Sequence, residues 1–165
     1  MITLAKADQD RSVFRFGSIF GPSFTAARLP KNAAFFEAVL SDERIVGEEA
    51  KKFWNRPRPF VTSSLIHPCV DEPPTNSYPS NHATTGMLYA QILIRMLPEQ
   101  RGPIMARAAQ YAKNRVVCGV HYESDIEAGE RAGVIEARAM FENTVFRRDF
   151  DAARAEIRQA LAPRQ

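Results

Sequence analysis

Proline and glycine cut this chain into long stretches of helical patterning, and that division constrains its fold more than any other feature. Residues 32–40 and 41–55 read as two helices, the second with Ser41 as its N-cap and Asp42 and Glu43 in its first turn. The run Arg56-Pro57-Arg58-Pro59 ends the pattern, because proline lacks an amide donor and restricts the residue before it. Residues 60–81, carrying Pro68, Pro73, Pro74 and Pro79, read as a loop, and loops of that length inside a compact domain are uncommon and often functional. A helix follows at about 82–97, with Met87, Ala90, Leu93, Ile94 and Leu97 near a 3.6-residue period and Pro98 at its end. Two more span about 103–117, with Pro103 at the first helical position, and about 123–142, starting at Ser124 or a neighbour. From Phe146 the tail reads as a last amphipathic helix. Convincing hairpin signals are absent, so the expected class is all-α. A length of 165 residues suggests one domain over 1–165.

A net charge of +3 suits an anionic ligand and is too small to argue for nucleic acid. The most apolar stretch, Met87 to Leu97, is too short to span a bilayer and contains Gln91 and Arg95, so no integral membrane span is expected. The N-terminus, MITLAKADQDRSVF, has no long apolar core and does not read as a secretory signal. Cys69 and Cys118 fit either two buried thiols or one disulfide in an oxidising compartment. A bridge would close a loop of roughly 50 residues, worth about 4 kcal/mol in the chain-entropy model.

Three short segments concentrate unusual chemistry. In Lys51-x6-Arg58-Pro59, two helical turns separate the cations, which share a side if the helix persists. In Tyr78-Pro79-Ser80-Asn81-His82, Ser80 and the free amides of the following helix make an anion site, with His82 on its first turn. In Asn114-Arg115-x5-His121-x3-Asp125, a carboxylate four residues from a histidine can hold one ring nitrogen and leave the other as a nucleophile. Taken singly, each has a plainer explanation: a solvated basic face, a helix cap with an incidental histidine, a surface His–Asp pair. Together they supply what metal-free phosphoryl transfer needs: forked and point cations for the oxygens, a nucleophile and a separate acid. His67, which precedes Pro68, belongs to none of the three and reads as structural or exposed.

In order and spacing, KKFWNRPRP, YPSNH and NRVVCGVHYESD resemble the signature of the type 2 phosphatidic acid phosphatase superfamily. SYPSNHATTG and NRVVCGVHYESDIEAG look most like bacterial class A non-specific acid phosphatases. The resemblance implies a compact all-α helical bundle of the acid phosphatase/vanadium haloperoxidase type, with its motif-bearing core at about 41–143. It implies a metal-independent, cofactor-free, vanadate-sensitive acid phosphatase acting on small phosphomonoesters and releasing inorganic phosphate. By this resemblance Lys51, Arg58 and Arg115 bind phosphate oxygens, and Ser80 and the amide of Asn81 complete the cradle. His82 protonates the leaving alkoxide, His121 becomes a phosphohistidine, and Asp125 orients His121. The same resemblance implies a periplasmic or secreted protein with a Cys69–Cys118 disulfide, and leaves a homo-oligomer open.

Asn81 stands where the family usually has glycine, and Asn114 where it usually has serine. Asn81 is expected to crowd the phosphoryl group, with backbone strain added if its φ is positive. On that basis Asn81→Gly is expected to raise kcat/KM about tenfold. The competing functions are a vanadium-dependent haloperoxidase-like enzyme, a non-catalytic phosphate-binding protein left by a crippled site, and a metal hydrolase built from His82, His121 and Asp125. The last lacks any supporting ligand spacing.

Overall fold

The computed structural model describes residues 2–162, whose regular elements are all helices, with no strand among them. Short elements come first: α1 (Ile2–Ala7), a 3-10 turn (Val13–Phe16) and α2 (Gly17–Phe20). Then follow α3 (Pro30–Trp54), the single turn α4 (Pro59–Thr62), α5 (Asn81–Met96), α6 (Arg101–Val117), α7 (Glu123–Met140) and α8 (Thr144–Leu161). The all-α expectation holds.

Helix α3 is one helix of 25 residues, not the two expected at 32–40 and 41–55. Ser41 caps nothing and lies exposed inside it. The physical reason is a buried face that runs unbroken through the supposed junction: Phe36, Leu40, Glu43, Gly47 and Lys51 recur at helical spacing. Along that face the chemistry changes from aromatic and aliphatic to charged and small, so one helix joins the apolar core to the polar cavity. It stops at Trp54, where Asn55 takes a left-handed conformation (φ 46°) ahead of Pro57. Helix α6 begins two residues earlier than expected, and Pro103 sits at its third position, where the amide has no intrahelical acceptor to lose.

The core gathers around α5, whose Leu88, Ile92, Leu93 and Met96 are fully buried against Phe36 of α3, Ile104 of α6 and Ile157 of α8. Helix α7 approaches α5 through two glycines one turn apart. A Cβ on Gly129 would lie 2.5 Å from the Ser80 carbonyl oxygen, and one on Gly133 would lie 2.5 Å from that of Thr84. Asp125 stands one turn before Gly129, so this contact sets the starts of α5 and α7 side by side. The Ser80 amide donates to the Asp125 carbonyl at 3.0 Å.

Candidate active site

A cavity of about 210 Å³ opens at those two helix starts, lined by Arg11, Arg44, Glu48, Lys51, Arg58, Pro73, Thr75, Asn81, His82, Arg115 and His121. The three sequence segments therefore converge on one space. A larger groove of about 300 Å³ between α3 and α8, lined by Lys31, Phe35, Asp149 and alanines, gathers no comparable chemistry.

His121 does not lie on a helix; it precedes α7 by two residues. Its pairing with Asp125 is made by the carboxylate reaching back across the helix start, accepting from His121 Nδ1 at 3.2 Å and from the Tyr122 amide at 2.9 Å. On the other ring nitrogen, Arg58 places a guanidinium N–H 3.1 Å from Nε2. A guanidinium can only donate, so Nε2 carries the lone pair and Nδ1 the proton. Burial, with Arg58 and Lys51 acting against the Asp125 bond, lowers the His121 pKa to about 4. Burial pulls the Asp125 carboxyl upward, but hydrogen bonds from His121, Ser77 and the Tyr122 amide outweigh it and hold it at about 2. The ring is thus neutral, with a lone pair on Nε2, and His121 lines the cavity.

The helix stop at Trp54 leaves Lys51 and Arg58 on different elements, yet both line the cavity. Lys51 donates to the carbonyls of Asn76 at 2.8 Å, Ser77 at 3.2 Å and Pro79 at 2.6 Å. Burial and Arg58 lower its pKa to about 7, while three acceptors call for the ammonium, the only form with three N–H. Arg58 also donates to the Thr75 carbonyl at 2.6 Å and the Val120 carbonyl at 2.8 Å. Arg115 is different. It is 1% exposed and lines the cavity, and its Nε and Nη1 have no hydrogen-bond partner among the described residues. Leaving a buried charged donor unpaired costs at least 1–3 kcal/mol, roughly, and a bound anion removes that cost.

Ser80 is buried and does not line the cavity; its Oγ accepts from the Ala83 amide at 3.4 Å, as an N-cap. Asn81 opens α5 in helical conformation, and Asn55 alone among the described non-glycine residues has positive φ. The strain that a positive φ would have added at Asn81 is therefore absent. Its side chain packs against Gly47, where a Cβ would come within 2.8 Å of Nδ2, and its Oδ1 is buried without a partner. Asn114 does not line the cavity and donates to buried Asp8 at 2.7 Å. His82 Nε2 lies 3.0 Å from the Gln9 carbonyl, which accepts its proton. Burial first, then the Arg115 charge, hold His82 well below the usual histidine range.

Sequence reasoning missed four contributors. Arg56 pairs with Asp125, and Ser77 Oγ donates to Asp125 Oδ2 at 2.6 Å. Arg11 reaches the cavity from the N-terminal segment, paired with buried Glu43 and with Thr85, while Gln9 of the same segment holds His82. None belongs to a spaced motif; only the clustering of Arg56 with Arg58 around the prolines could have drawn attention. Cys69 and Cys118 form a disulfide, with Cα atoms 4.7 Å apart, joining the loop to the end of α6. His67 is exposed. Among the described residues no cluster of three or more His, Cys, Asp or Glu is placed to hold a metal ion. No described helix is long and apolar enough to cross a membrane.

Known proteins share much of this sequence. An acid phosphatase of Zymomonas mobilis is 35% identical over 146 residues, covering 85% of this chain and 54% of that protein. A non-specific acid phosphatase of Salmonella typhimurium is 31% identical over 163 residues, covering 93% of this chain and 65% of that protein. A third, from Providencia stuartii, is 26% identical over 147 residues, 86% of this chain and 59% of its own length. The chain thus spans between about half and two thirds of the curated relatives it matches. Residues 33–148, which hold every one of the convergent motifs, match the PAP2 superfamily, and the chain belongs to that family.

Proposed function

We propose that this chain is a metal-independent acid phosphatase that hydrolyses small phosphomonoesters through a phosphohistidine on His121, working as one domain over 1–165 with its core at about 41–143. The observation that carries the reading is Arg115: a buried guanidinium with two nitrogens unpaired among the described residues, lining the same cavity as a neutral histidine that keeps a lone pair on Nε2. The names of the relatives support the same activity. The disulfide supports a periplasmic or secreted setting, since such bonds persist in oxidising compartments.

The phosphate dianion enters between Arg58, Arg115 and the start of α5, where a helix leaves amides without intrahelical acceptors. Arg58 turns its N–H from His121 Nε2 to a phosphate oxygen, which frees the lone pair as the electrophile arrives. Lys51 adds charge and fixes the loop. Nε2 attacks phosphorus, the P–O bond to the alcohol breaks, and His82 gives the leaving oxygen its proton. Asp125 stabilises the cationic phosphohistidine through Nδ1–H. Water, deprotonated by His82, then attacks phosphorus, the P–N bond breaks and inorganic phosphate departs. His82 is neutral in the empty site, and the bound anion raises its pKa so that it acquires the proton it donates. His121 stays neutral down to about 4 and His82 must be protonated to donate, so the optimum lies below neutrality.

The test is a phosphomonoester panel assayed in EDTA, with and without vanadate, beside acid-quench trapping of labelled substrate. Turnover in EDTA, micromolar-scale vanadate inhibition and acid-labile phosphate on His121, all lost in His121→Ala, are expected. Activity that disappears in EDTA and returns with a divalent metal, or label on a serine, overturns the reading.

A further inference from the structure

Asp125 is gripped from two sides, and of the residues that hold it only His121 lines the cavity. Its Oδ2 accepts from Ser77 Oγ at 2.6 Å, the Tyr122 amide at 2.9 Å and His121 Nδ1 at 3.2 Å. Its Oδ1 accepts from Arg56 Nη1 at 2.7 Å. That guanidinium is itself fixed: it lies 4.1 Å over the Tyr122 ring and donates to Ser124 Oγ at 2.8 Å. The Arg56 carbonyl also accepts from the Ser77 amide at 2.8 Å, so Arg56 places the serine that serves Oδ2. The carboxylate is fully buried while the arginine is 35% exposed. An ion pair between two exposed groups would contribute little. Here one partner has no water to replace a lost donor.

We propose, resting on the phosphohistidine reading above, that Arg56 is a positioning residue for the nucleophile, holding Asp125 in the orientation that serves His121 and screening its charge so that His121 stays neutral in acid. The charged and titratable groups around this pair are Arg58 on Nε2 of His121, Lys51 and His82 across the cavity, and Arg56 behind Asp125. Arg58 and Lys51 are the cations on the cavity side, and His82 is neutral in the empty site. Arg56 alone acts from behind the carboxylate. Without it, Oδ1 has no other donor among the described residues, the carboxylate is held through Oδ2 alone, and its unscreened charge beside Nδ1 favours the imidazolium. The sign follows: the His121 pKa rises, and at a given acid pH less of the nucleophile is neutral.

The experiment compares wild type with Arg56→Gln and Arg56→Lys, reading ring resonances of the three histidines by NMR titration without substrate, and then the pH dependence of kcat/KM. Exposed His67 serves as the internal reference. In Arg56→Gln the His121 titration is expected to move up by about one pH unit, and the acid limb of kcat/KM to move with it. Misorientation should lower kcat about tenfold with KM little changed. Arg56→Lys keeps the charge and should return the titration close to wild type while recovering part of kcat. An unmoved His121 in Arg56→Gln, or a lysine variant shifted as far as the glutamine one, overturns the proposal. So does a loss of rate that is uniform across pH and tracks a lowered Tm. The titration needs no turnover, so its outcome is separate from that of the phosphomonoester panel.

Discussion

The α5–α7 wall of the cavity and the wall formed by residues 63–80 face the same space but are held by different forces. On the helix side, Gly129 and Gly133 let α7 sit directly on the α5 backbone, and the starts of both helices are fixed by packing. On the loop side there is little apolar packing. The segment is tied by Lys51 to three carbonyls, by Arg58 to Thr75, by the Ser77 amide to Arg56, and by the disulfide to α6. Two of the three cations that the family resemblance assigns to phosphate, Lys51 and Arg58, are thus also the loop's structural ties. Arg115, which rises from α6 on the helix side, keeps free donors because the helices need nothing from it. The wall built by packing can leave its charge unpaired, whereas the wall built by polar ties uses its charges to exist.

That contrast breaks first at Gly133. Gly133→Leu places a Cβ against the Thr84 carbonyl oxygen and, at 2.8 Å, the Leu88 amide, contacts that backbone atoms cannot yield to without moving α7. Overpacking of this kind should cost about 3 kcal/mol or more. For a chain of this size that lowers Tm by roughly 10 °C. Thermal unfolding followed by circular dichroism checks it; a fall under about 2 °C would mean the helices are not seated through this contact.

On the loop side the balance should reverse. Lys51→Met matches the length of the stem but donates nothing, so three carbonyls lose their partner while the helical core is untouched. The loop should loosen at 76–80 and kcat/KM fall on the order of a hundredfold, since small misplacements at a reacting centre are costly. Tm should fall less than in Gly133→Leu. Parallel melts and phosphatase assays read both quantities. A variant that loses stability and activity in proportion would put Lys51 in the structural core rather than on a separable loop.

The sequence made much of this legible because local rules and function coincide in three places. Pro98 ends α5 where the apolar period ends, Ser80 caps it, and the motif spacings bring their side chains into one cavity. The Cys69–Cys118 bond followed from the resemblance and is present. The misses have physical causes. Ser41 looked like a cap because serine followed by acids is a common helix start, but the buried stripe from Phe36 to Lys51 overrides that preference. The grip of Arg56 on Asp125 joins residues 69 apart, and the reach of Arg11 to Glu43 and Thr85 depends on the path of an N-terminal segment with no periodic pattern. Contacts of that kind arise from tertiary geometry alone. The glycines of α7 were visible as letters, but their use as a seat for α5 depends on which face of α7 turns inward.

The smallest expected effect lies where the two walls meet, at Asn81. Its helical backbone removes the strain that a positive φ would have added, so only its side chain distinguishes it from glycine. That side chain fills the space over Gly47 and lines the cavity, with a buried carbonyl oxygen that finds no donor. Asn81→Gly removes the unpaired acceptor and widens the cavity beside the transferred group, which favours catalysis. It also places glycine in the first turn of α5, where the loss of helix propensity is at most about 1 kcal/mol. The expected result is therefore a severalfold rise in kcat/KM with Tm lowered by only a few degrees. Filling the opposite side should act the other way. Gly47→Ala drives a Cβ into the Asn81 amide, and in the Asn81→Gly background that collision is gone. If Gly47→Ala lowers kcat/KM alone but is neutral with Asn81→Gly, the two positions compete for one volume beside the phosphate. Additive effects would place the influence of Asn81 elsewhere than in that space.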